Sequence, residues 1–193
     1  MHQTLVLTIR FAFIFLFNPL IGCTKHHQIF LNPSLPIHDA KIGNKIPVSL
    51  YVEDSRSSNI ISNWEKDLRK FSISSQNDLR ETFLIKIRQG LIKLNFSPRV
   101  HTRNLNHFLK VEILNIRSKY NERMLRMDIR INIKLRATCS SSIRKYSKTY
   151  SAQKYRKNIT PATFPNENLI NATLSEVLGQ ILKDQALLDC LIN

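Results

Sequence analysis

The sequence predicts an α+β fold: an antiparallel sheet of about four strands with two amphipathic helices packed on one face, in the order β-α-β-β-β-α. Three observations predict it. Residues 124–139 alternate between apolar and polar side chains without a break, the pattern of a long strand with one buried and one wet face. Leu79, Phe83, Ile87, Leu91 and Leu94 fall on one helical face, and so do Ile170, Leu174, Val177, Leu178 and Ile181. The helical patterns flank the strand-rich centre, and helices gathered on one face of an antiparallel sheet are a stable way to close a single core.

Residues 1–22 have the parts of a secretory signal: a basic residue, Arg10, an apolar run from Phe11 to Phe17, and a small residue at the end. The run is too short to span a bilayer as a helix, which takes about 20 apolar residues. Leu20, Ile21, Gly22 and Cys23 close the segment and resemble the bacterial lipobox, with Leu three places before the cysteine and Gly just before it. That chemistry requires a cysteine, because its thiolate takes a diacylglyceryl group before cleavage frees the amine for a third acyl chain. Three chains exceed what stable anchoring needs. By resemblance to enterobacterial sorting, Thr24 after the cysteine implies the outer membrane, where an Asp would imply retention at the inner one.

Residues 23–45 are expected to form the lipidated cysteine and an extended tether, since Pro33 and Pro36 favour extended backbone and no period is sustained. A single domain follows over 46–193. Pro47 to Arg56 is its first strand, with Val48, Leu50 and Val52 toward one face. Residues 57–74 are a Ser/Asn-rich connection anchored by Trp64. Ser75 with Asp78 three places on predicts a helix cap, and Pro98 marks the end of that helix, with Phe96 packing the corner. Gly90 weakens its later turns. Leu109, Val111 and Ile113 start the second strand, the long strand follows, Ser140–Ser142 turn the chain, and Arg144 to Tyr155 return. After Thr160-Pro161 and Pro165 comes the second helix, and Leu187, Leu188, Leu191 and Ile192 suggest one more apolar turn.

Little in the domain points to catalysis. There is no nucleophile elbow, phosphate-binding glycine loop or HExxH pair, and only four glycines in all. No cofactor and no metal are called for: His26-His27 lack further ligands at zinc spacing, and His101 and His107 have no matching carboxylate or thiol nearby. Asp54 and Arg56 form an Asp-x-Arg unit that could bind a ligand but is more often structural. Cys139 and Cys190 are a candidate disulfide if the last helical turn packs on the sheet; two buried thiols are the alternative.

Charge is the unusual property. Twenty-nine Lys and Arg against 14 Asp and Glu give a formal +15. Such an excess favours anionic partners, although drift in an AT-rich genome, which raises Lys, Ile and Asn together, would produce it too. Arg126, Arg130, Lys134 and Arg136 line the polar side of the long strand and form a candidate surface for an anionic lipid or an envelope protein. Arg144, Lys145, Lys148, Lys154, Arg156 and Lys157 follow in the return strand, with Tyr120, Tyr146, Tyr150 and Tyr155 interleaved. Nucleic acid is not the expected ligand, because an exported protein seldom meets it. A merely solvated face is the default.

With the lipobox, the segment IFLNPSLPI, the strand VSLYVEDSR, the helix LRETFLIKIRQGLIKLNF, the alternating strand pair and the final LSEVLGQILKDQALLDCLI, the chain resembles the YajG family of uncharacterised bacterial lipoproteins. It departs from that family in being far more basic and in carrying Cys139 and Cys190. The resemblance implies a lipid-anchored protein on the periplasmic side of the outer membrane. It implies no activity. The expectation is a non-catalytic role in envelope maintenance through protein or lipid contacts. An accessory subunit of an envelope transport system and a glycan- or peptidoglycan-binding module are the alternatives.

Overall fold

A computed structural model describes residues 24–66, 69–100, 102, 105–123, 126–158 and 167–193. Along them run β1 (Thr24–Ile29), β2 (Pro47–Asp54), β3 (Ile60–Lys66), β4 (Arg69–Ser75), α1 (Leu79–Lys93), β5 (Ser97–Val100), β6 (Phe108–Arg123), β7 (Arg126–Ser140), β8 (Lys145–Asn158), α2 (Glu167–Leu182) and α3 (Gln185–Ile192). The α+β class holds, but the single antiparallel sheet of about four strands does not. The described residues form two mixed sheets, ordered β1-β4-β3 and β5-β2-β6-β7-β8, and the terminal apolar turn is a further helix.

In the larger sheet β2 runs parallel to both β5 and β6, while β6-β7 and β7-β8 are antiparallel. Met127, Ile129, Ile131, Ile133, Leu135, Ala137 and Cys139 face the core, as their alternation predicts. On β6 the inward set changes parity: Leu109, Val111 and Ile113 point in, then Ile116 and Ser118. A bulge at Leu114, where the register against β7 shifts, causes the switch. The three helices among the described residues pack against this sheet, α1 on β2 and β5, α2 and α3 on β7 and β8.

Asp78, not Ser75, caps α1, its carboxylate accepting from the N–H groups of Arg80 and Glu81; Ser75 donates to Asn77 instead. The helix ends in a Schellman motif. Asn95 takes a positive φ of 65°, its N–H bonds Ile92 O, and the N–H of Phe96 bonds Leu91 O. Gly90 is buried where α1 meets α2, and a Cβ there would collide with Leu182. The residue that costs helix propensity is the one that lets two helices approach.

The expected tether is instead part of the fold. Thr24–Ile29 pairs in parallel with β4, and Leu31 and Ile37 are buried. Residues 30–45 then strap the helices. The N–H of Asn32 donates to Asn171 Oδ1 (2.8 Å), Ser34 Oγ lies 3.2 Å from Ser175 Oγ, and Ala40 N–H donates to Lys93 O (2.8 Å). Gly179 leaves the room that Pro36 occupies, since a Cβ would lie 2.7 Å from Pro36 Cγ. The expected 57–74 connection is likewise the antiparallel β3-β4 hairpin. Ile61, Ser62, Ser72, Ile73 and Ser74 of the hairpin are buried, and the three serines among them hide the strand period.

Candidate anionic-partner interface

The helices cover one face of the five-stranded sheet. The other carries the polar sets of β6, β7 and β8, placed side by side by the register: Arg117 opposite Asn132, Lys119 opposite Arg130, Arg130 opposite Tyr155, and Lys134 opposite Ser151. Arg130, Lys134 and Arg136 are all exposed here; of Arg126 only the backbone is described. The alternation of β7 positions them. Arg117 and Lys119 join them only because the Leu114 bulge turns the second half of β6, so a strict period counted from Leu109 misses both.

This face is not uniformly basic. At the β2 end, Lys110 Nζ lies 2.7 Å from Glu53 and 3.3 Å from Glu112, and Arg136 lies 3.7 Å from Glu112. The Glu53 hydrogen bond, chiefly, holds the Lys110 ammonium above its ordinary range, with Glu112 adding to it against some desolvation. A groove of about 720 Å³ opens at the same end between Ser49, Tyr51, Glu53, Leu105, Phe108 and Lys110. Toward the β6-β7 turn the balance changes to Arg117, Lys119, Arg130 and Lys157, with Asp128 as the acid opposite Lys157. Lys157 Nζ sits 5.8 Å from the ring centre of Tyr155, which is itself about half exposed.

The return strand does not contribute as its composition suggests. Lys148, Tyr150 and Lys154 face the helices: Lys148 pairs with Asp184 at 2.6 Å, Lys154 with Glu176 at 3.3 Å, and Tyr150 is buried. Tyr146 also points to Asp184, at 3.3 Å, and Tyr120 packs tilted against Trp64, with ring centres 4.7 Å apart. Of the four interleaved tyrosines only Tyr155 reaches the basic face, so no row of base-stacking rings forms there.

Other candidates are dispersed. His26 and His27 alternate across β1. The His26 ring bridges Ser72 Oγ (2.8 Å) and Ser74 Oγ (2.9 Å), so the two imidazoles do not converge. Among the described residues no three His, Cys, Asp or Glu side chains gather to hold a metal. Asp54 and Arg56 form a two-pronged pair of 2.8 and 2.7 Å with the guanidinium largely buried, which braces the end of β2. Cys139 and Cys190 are joined as a disulfide that ties α3 to β7. Leu20, Ile21, Gly22, Cys23 and His101 lie outside the described residues. No described helix is long and apolar enough to cross a membrane.

A family model described as an uncharacterized lipoprotein matches residues 33–191. No curated protein matches the chain. Among solved structures, a Xanthomonas campestris protein is similar at 11% identity, over 87% of this chain and 95% of that one, with a TM-score of 0.47. A minor lipoprotein from Acinetobacter baumannii shares 10% identity over 76% and 90% of the two chains, with a TM-score of 0.37. A lipoprotein from Neisseria meningitidis shares 9% over 70% and 97%, with a TM-score of 0.38.

Proposed function

Because the chain belongs to this family of uncharacterized lipoproteins, we propose that it is anchored through acylated Cys23 to the periplasmic side of the outer membrane and acts there without catalysis. The order and spacing of its elements support the narrower placement with the YajG lipoproteins. One observation supports the reading of the anchor: the residue after the lipobox cysteine, Thr24, is already paired in a sheet, so a chain lipidated at Cys23 enters the fold at once. The Cys139–Cys190 bond suits an oxidising compartment outside the cytoplasm.

The working surface on this reading is the open basic face, offered to an anionic lipid or to an acidic envelope protein. Its donors are exposed and project from a hydrogen-bonded sheet, which fixes their spacing while leaving their ends free to follow a partner. Labelled palmitate fed to cells should enter the wild-type protein and be absent from Cys23→Ala. Label retained in that variant contradicts the anchor.

A further inference from the structure

The absence of a free tether has a geometric consequence. A chain lipidated at Cys23 and paired from Thr24 onward cannot hold its domain far from the bilayer, so the end of the molecule where β1 starts is the end that meets lipid. Resting on the Cys23 reading, we infer that this end is a built membrane-contact surface that seats the domain on anionic phospholipid.

The register identifies what lies there. Thr24 pairs with Lys70 and Lys25 with Phe71 at the start of β4, and across the hairpin Phe71 faces Trp64. The Trp64 and Phe71 rings stack with centres 5.1 Å apart, and Trp64 leans on Tyr120 near the β6-β7 turn at 4.7 Å. Both rings are part-exposed at the rim of the core. The Trp64–Tyr120 contact brings the two sheets together at this end, and the basic part of the open face lies at the same end on the other side of the larger sheet. Lys25, Arg69 and Lys70 are exposed around the rings, with the acid Glu65 opposite Lys70, and Lys119, Arg130 and Lys157 are exposed at the same end of the other face, with Asp128 opposite Lys157.

Aromatic rings with an apolar body and a polar edge settle at the headgroup level of bilayers. Lysines and arginines beside them are drawn to anionic headgroups within a Debye length. The acidic pairs Glu53 and Glu112 sit at the far end of the sheet, so the charge gradient along β6 and β7 points the basic end toward the anchored side. The occupant is therefore the lipid surface itself. An acidic protein would have to share a surface that the anchor already presses against the bilayer.

Trp64 is the single tryptophan of the chain and reports on this surface directly. The experiment reconstitutes the mature lipidated protein into vesicles of phosphatidylethanolamine with or without phosphatidylglycerol, including phospholipid brominated high on its acyl chains. Trp64 emission should be quenched in the anionic vesicles and less so in neutral ones. Lys25→Glu and Lys70→Glu should each lower the docking equilibrium by about fivefold or more. Arg88→Glu, exposed on α1 and away from both surfaces, serves as a folded control and should change it little. Protein that floats with the vesicles while Trp64 stays unquenched overturns the inference and leaves the anchor standing; so does quenching indifferent to phosphatidylglycerol and to both charge reversals. Protein that does not float at all overturns the anchor reading and this inference with it.

Discussion

Asp184 shows how one residue can join several parts of the molecule. It follows α2 and caps α3, its carboxylate accepting the Leu187 N–H at 3.1 Å while Lys148 of β8 holds it at 2.6 Å. Desolvation alone would raise its pKa, but the Lys148 ammonium and the Leu187 N–H outweigh burial and hold the carboxyl below the usual range. A folded-state pKa below the unfolded one contributes stability that is present above the unfolded value of about 4 and is lost as pH falls through the folded value. The urea midpoint should therefore drop on acidification below about pH 4, and Asp184→Asn should blunt that drop while keeping a competent cap. Asp184→Ala should cost about 1 kcal/mol or more even at neutral pH, because the cap is lost as well. Equilibrium unfolding of the three proteins across pH decides it. Neither role is visible in the sequence, where Asp184 is one polar residue after a helix and Lys148 reads as one more positive charge on a basic strand. Only the fold brings them together.

Elements with strong periods were legible, and those whose partners determine them were not. The strand β7 and the helices α1 and α2 follow their apolar spacing because each buries one face against a continuous core. The strand β1 has little such spacing: of residues 25–29 only Ile29 is buried, and its place comes from pairing with β4. The β3-β4 hairpin is masked by buried serines, and β6 by the Leu114 bulge that reverses its faces. Parallel pairing of β2 with β5 and β6 leaves no local mark, because alternation shows a strand's faces and not its neighbours. Two predictions belong to this scale. Gly90→Val should destabilise the protein by about 2 kcal/mol through overpacking at the α1–α2 contact, measured as a lower urea midpoint. Replacing both Cys139 and Cys190 with Ser opens a loop of sequence separation 51 and should cost about 4 kcal/mol on the chain-entropy account. A midpoint unchanged by dithiothreitol in the wild type would contradict that.

The whole molecule is an asymmetric plate. One side is closed by helices and the N-terminal strap; the other is a polar sheet whose charge grows more basic toward the end where the chain begins. The basic stripe on β7 could be read from sequence, but its limits could not. Glu53 and Glu112 neutralise one end, three of the four tyrosines turn inward, and further exposed cations come from segments that composition presents as a tether (Lys25) and a connection (Arg69 and Lys70). The account rests on the point where lipid and fold meet. Intact and peptide mass spectrometry of the protein extracted from membranes tests it most directly. The account predicts a mature chain whose first residue is Cys23 bearing a diacylglyceryl group and an amide-linked acyl chain, followed by Thr24. A chain that keeps residues 1–22, or one whose Cys23 carries no lipid, would contradict it.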